Sequence, residues 1–121
     1  MKYDRMEKKY GEFVFKKKDL EIVSNDGTRY FVDPEKDVCL YKIPYRPDVE
    51  GEEFYMHETE NHGRQFYRLY FRENWVKFEA VDKEYIADVL KDEEIKHDTV
   101  ITQAQLELLE RYGIKLSEAA V

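Results

Sequence analysis

The chain has 121 residues, 42% hydrophobic and 15% aromatic, enough apolar mass for one packed domain and too much for global disorder. It carries 20 Lys/Arg against 27 Asp/Glu, a net charge of −7, which disfavours nonspecific attachment to nucleic acid. A single cysteine, Cys39, excludes a disulfide framework within one chain and fits a reducing compartment.

Residues 1–11 alternate charge and tyrosine and read as a flexible arm or a short helix. Antiparallel sheet is expected over 12–79, helices over 82–116, and a single domain over 1–121. Glu12 to Lys16 and Leu20 to Ser24 read as strands. Asn25-Asp26-Gly27-Thr28 is a hairpin turn signal, since glycine supplies positive φ. With Asp26-Gly27 as the loop, Val23 would face Tyr30 and Ile22 would face Phe31. A strand from Thr28 to Val32 follows. Asp33-Pro34-Glu35-Lys36 suits a type I turn, and Val38 to Ile43 forms the next strand. In its apolar alternation Cys39 reads as a packed, inert thiol. Pro44 and Pro47 cannot donate to a ladder, so the chain leaves the sheet there or follows its edge.

The next strand, Glu53 to Glu58, runs through Glu60-Asn61-His62-Gly63 into the most informative stretch, Gly63 to Glu79. Period-two alternation puts Arg64, Phe66, Arg68, Tyr70 and Arg72 on one face, and Tyr67, Leu69 and Phe71 on the other. A two-residue turn at Glu73-Asn74 sets Arg72 against Trp75, Tyr70 against Lys77 and Arg68 against Glu79. It also sets Phe71 against Val76 and Leu69 against Phe78, so one register sorts both faces. Phe54 and Met56 are expected beside Tyr67 and Leu69, with Tyr55 and His57 on the arginine side.

Two helices close the chain. Asp82 caps the first, with Val81 and Ile86 as a hydrophobic staple and Tyr85, Ile86, Val89 and Leu90 as its apolar stripe. Thr102-Gln103-Ala104-Gln105 is a capping box for the second, whose apolar face is Leu106, Leu109 and Tyr112. Gly113 sits where a left-handed residue ends a helix, with Leu109 and Ile114 as the accompanying contact. Strands followed by helices give α+β: an antiparallel meander of about six to seven strands, then two C-terminal helices.

Charge is distributed unevenly. Residues 79–121 carry five Lys/Arg against eleven Asp/Glu, whereas residues 1–18 carry seven against three. No apolar run approaches the ~20 residues that span a bilayer, and the first residues lack the apolar core of a signal peptide. A cytoplasmic protein without membrane partners is the expectation.

Glycine-rich phosphate loops and Gly-x-Ser-x-Gly nucleophile motifs are absent from the sequence, and no cofactor is implied. The expected role is non-enzymatic: a small acidic binding or regulatory protein that contacts another protein. Arg64, Phe66, Arg68, Tyr70, Arg72, Trp75 and Lys77 form the first candidate surface, because arginine and aromatics concentrate binding energy at interfaces. Arg68, Tyr70, Arg72 and Trp75 would be its hot spot. The same face offers a second reading, stacking of single-stranded bases with phosphates on the arginines, against which the net charge counts.

A third reading uses Asp88, Asp92, Glu93, Glu94 and Asp98. Repeated carboxylates imitate a phosphate backbone and occupy the cationic groove of a nucleic-acid-binding machine, as in inhibitors of phage or mobile-element type. The weakest is a metal-dependent hydrolase using His57, Glu60 and His62, whose spacing is not that of the helical His-Glu-x-x-His motif.

Overall fold

The computed structural model describes residues 21–23, 27, 29–47, 49–59, 63–73 and 75–116. The expected arm at 1–11, the Glu12–Lys16 strand, and Glu60, His62 and Asn74 lie outside these residues. The fold is α+β with antiparallel strands. Its elements are β1 (Glu21–Val23), β2 (Arg29–Phe31), β3 (Val38–Arg46), β4 (Glu50–Thr59), β5 (Gly63–Arg72), β6 (Trp75–Val81), α1 (Lys83–His97) and α2 (Gln103–Arg111). Strands β1 and β2 form a two-stranded sheet, and the other four form a second sheet in the order β3-β4-β5-β6. The chain divides into two compact units, residues 1–80 and 81–121.

The core of the first unit is built on the long β4–β5 ladder, where Tyr55 pairs with Tyr67, Glu53 with Leu69 and Gly51 with Phe71. Tyr67 and Leu69 are fully buried, and Ile22, Tyr30 and Val32 from the β1–β2 region join the same cluster. Burial of a leucine such as Leu69 contributes about 1.5–3 kcal/mol. Cys39, Val76, Phe78 and Ala80 pack at its margin. Gly51 permits a close approach, since a Cβ there would lie 2.7 Å from the Phe71 ring.

Two expected alignments are corrected by loop length. Ile22 pairs with Tyr30 and Val23 with Arg29, one position away from a two-residue Asp26-Gly27 loop. The observed register puts Ile22 and Tyr30 together on the buried side and Glu21, Val23, Arg29 and Phe31 outside it. Burial of one face fixes that choice. In the next hairpin Thr59 pairs with Gly63, so three residues intervene. Phe54 therefore faces Arg68 and Met56 faces Phe66, on the arginine side, while Tyr55 joins Tyr67. An odd-numbered loop inverts the phase, and alternation in β4 could not reveal it. Residues 51–56 are buried on both faces.

The local turn and cap signals hold. Asp33 O accepts from Lys36 N at 2.9 Å, and Asp33 Oδ1 accepts from Glu35 N at 3.0 Å. Among the described residues β3 is an outer strand of its sheet, and Pro44 sits in it where the ladder slips between Ile43 and Arg46. Strands β5 and β6 end and begin at Arg72 and Trp75, and Glu73 has φ 54°, as a tight primed turn needs.

In the second unit Asp82 accepts from Tyr85 N at 2.8 Å, and both arms of the Thr102–Gln105 capping box are made. After α2, Gly113 at φ 85° donates to Glu110 O and Ile114 donates to Leu109 O, the two bonds of a Schellman end. Helix α1 stops differently, on Asp98 at φ 54°, whose N–H returns to Glu93 O. The stripe of α1 is Ile86, Ala87, Leu90 and Glu93; Tyr85 is 38% exposed rather than packed.

Candidate interaction surfaces

The arginine-aromatic face of β5 is matched by β4. Glu50 stands opposite Arg72, Glu52 opposite Tyr70 and Glu58 opposite Arg64. Arg68 lies at the centre with its side chain only 15% exposed. Its Nε donates to Glu52 at 2.5 Å and an Nη donates to Glu79 at 2.7 Å, the cross-strand partner read from the sequence. The guanidinium also lies 5.3 Å from the centre of the Tyr70 ring.

Glu52 is 4% exposed and takes a second bond from the Tyr45 hydroxyl at 2.9 Å. The Tyr70 hydroxyl donates to Glu50, which holds that carboxyl below its ordinary value and raises the phenol. Arg68 likewise depresses the Glu79 carboxyl, with Lys77 assisting from 3.6 Å.

The seven residues of this candidate surface therefore divide. Arg64, Arg72 and Lys77 are exposed; Phe66 and Tyr70 are half-buried. Arg68 is a correction: its guanidinium balances a buried glutamate and is not presented to solvent. The reason is the phase of β4, which brings Glu52, Phe54 and Met56 onto the arginine side. The Trp75 side chain lies outside the description.

The acidic segment divides too. Asp88, Asp92, Glu94 and Asp98 are exposed, but Glu93 is 9% exposed. Glu93 falls one helical turn beyond Leu90 on the buried stripe and approaches His97 Nε2 at 4.0 Å, so it leaves the exposed acidic set. Asp92 pairs with Lys96 at 3.4 Å. Two apolar side chains that the sequence reading passed over stand in this segment. Ile95 is 78% exposed and Val100 82%. Their positions off the Ile86–Leu90 stripe were the available signal.

His57, taken from the sequence as a weak metal ligand, belongs to a polar cluster instead. Its Nδ1 lies 2.8 Å from Asp37 Oδ1, and Asp37 Oδ2 accepts from the Tyr67 hydroxyl at 2.7 Å and from Asp33 N at 2.9 Å. Tyr30 stacks on the imidazole at 5.4 Å, with the rings 9° apart. A carboxylate accepts, so Nδ1 carries a proton and donates it to Asp37. Among the described residues no group of three or more His, Cys, Asp or Glu is arranged to hold a metal ion. Burial pushes the Cys39 thiol up, which keeps it protonated and weakly nucleophilic.

Among the described residues no helix is long and apolar enough to cross a membrane. Comparison with known proteins finds no matching family model, no matching curated protein and no matching solved structure.

Proposed function

We propose that this chain is a non-enzymatic binding domain that docks on a cationic protein through the carboxylate-rich end of α1 and the connection after it. The exposure of Ile95 and Val100 among Asp92, Glu94 and Asp98 carries this reading. Exposed aliphatics contribute little to folding, and apolar groups rimmed by charge are the usual make-up of a protein contact. Five Lys/Arg against eleven Asp/Glu over residues 79–121 would steer a basic partner toward this end. The partner's matching surface is lysine- or arginine-rich around an apolar pocket.

The first test is affinity purification from the source cell, followed by titration of the purified binder against surface variants. Ile95→Asp/Val100→Asp and Asp92→Lys/Glu94→Lys should each weaken binding at least tenfold without lowering the melting temperature. Arg72→Ala/Lys77→Ala should leave binding unchanged. Loss of affinity only in the arginine-face variant would transfer the role to the sheet.

The exposed row Asp88, Asp92, Glu94 and Asp98 also favours the phosphate-mimic reading. That reading adds a requirement: the chain must displace DNA from its partner, and charge reversal at Asp88, Asp92 and Glu94 must abolish the competition. On the sheet, glutamates opposite the arginines weigh against a nucleic-acid track.

A further inference from the structure

A hollow of about 230 Å³ opens in the second unit, away from Ile95 and Val100 in sequence. One stripe of α1, Glu84, Ala87, Asp88 and Lys91, forms one wall, and Ile114 and Lys115 form the other. These α1 positions recur at i, i+3, i+4 and i+7, so they share a helix face. The floor is apolar, since Ala87 is 8% and Ile114 1% exposed. Lys83 belongs to the lining too, and a Cβ at Gly113 would lie 3.1 Å from its Nζ.

Two carboxylates, Glu84 and Asp88, and three ammonium groups, Lys83, Lys91 and Lys115, line this hollow. On this face Glu84 and Asp88 are like charges one helical turn apart, and Lys91 stands one turn beyond Asp88 with the opposite charge. Among the described residues none of these five groups makes an ion pair. An isolated ammonium would satisfy only the acidic pair, and an isolated anion only the lysines. A ligand bearing both charges on a short apolar body matches the carboxylates, the lysines and the floor. The volume sets the size, because an engineered cavity of about 150 Å³ holds benzene and drug-sized sites begin near 300 Å³.

We propose that this hollow binds a small zwitterion of amino-acid size, with its ammonium on Glu84 and Asp88, its carboxylate on Lys91 and Lys115, and its side chain over Ala87 and Ile114. The site is independent of the proposed docking end.

The full chain, labelled with nitrogen-15, is titrated to 20 mM with L-leucine, with 4-methylpentanoate as the carboxylate alone, and with isopentylamine as the amine alone. Amide shifts at Ala87, Lys91 and Ile114 should saturate with leucine, and each single-charge analogue should bind at least tenfold more weakly. Lys91→Glu and Asp88→Lys, both on the rim, should abolish saturation while leaving the remaining spectrum in place. Absence of saturable shifts with leucine would overturn the proposal. So would equal affinity for 4-methylpentanoate, which would mark a simple anion site, or shifts that persist in both variants.

Discussion

His57 Nδ1 meets Asp37 Oδ1 at 2.8 Å, which ties the Asp33–Asp37 turn to the middle strands of the sheet. The same carboxylate holds the hydroxyl of fully buried Tyr67, so one aspartate serves two aromatic rings on adjacent strands. Asp37→Ala should therefore cost about 1–3 kcal/mol, the penalty of leaving a buried donor unpaired. Asp37→Asn, which keeps an acceptor, should cost less. Urea unfolding compares the two, and equal stability of Asp37→Ala and the parent would show the cluster to be ornamental.

Gly51→Ala should destabilise the first unit by about 1–3 kcal/mol, because the added methyl meets the Phe71 ring in a packed core. Phe71→Leu in the same chain should recover part of the loss through space for that methyl. A double-mutant cycle on thermal unfolding reads the coupling. Simple additivity would mean that the contact is relaxed elsewhere.

Arg68 and Arg72 share a strand face but should behave differently. Arg68→Ala leaves the Glu52 carboxylate buried without its guanidinium, and such a break costs about 3–5 kcal/mol. Arg72→Ala, at an exposed position, should change stability by less than about 0.5 kcal/mol. Chemical denaturation of both variants decides the matter, and similar effects would contradict the burial of the central pair.

Acid should weaken the fold through Glu79 and Glu50. Both carboxyls are held below their ordinary value, by the Arg68 hydrogen bond and the Tyr70 hydroxyl respectively. A lowered folded value favours the ionised form, so this stabilisation is complete above the unfolded carboxyl value of about 4.3. It fades as pH falls through the lower folded values. The Glu50→Gln/Glu79→Gln variant should accordingly show a shallower fall in melting temperature between about pH 5 and pH 3. Parallel slopes for variant and parent would assign acid sensitivity to other groups.

Local chemistry was legible in the residues, whereas phase between strands was not. Asp82, Thr102, Gln105 and Gly113 act through neighbours a turn away, and their caps follow from spacing alone. The Arg68–Glu79 pair was readable because a two-residue turn leaves no ambiguity of register. Phe54 and Met56 were misplaced because a strand buried on both faces carries no alternation, and one extra loop residue exchanges its sides. Asp37 was missed for another reason. Its partners His57 and Tyr67 lie 20 and 30 residues away, beyond any local pattern.

Pro44 and the slipped pairing of β3 also bear on strand-to-strand association. A regular outer strand offers its spare amides and carbonyls to any passing copy, and such stacking propagates into fibres. The ring at Pro44 deletes one donor, and the irregular spacing toward Arg46 misaligns the others. Among the described residues, the interruption leaves β3 a less regular template for the pairing that propagates fibres.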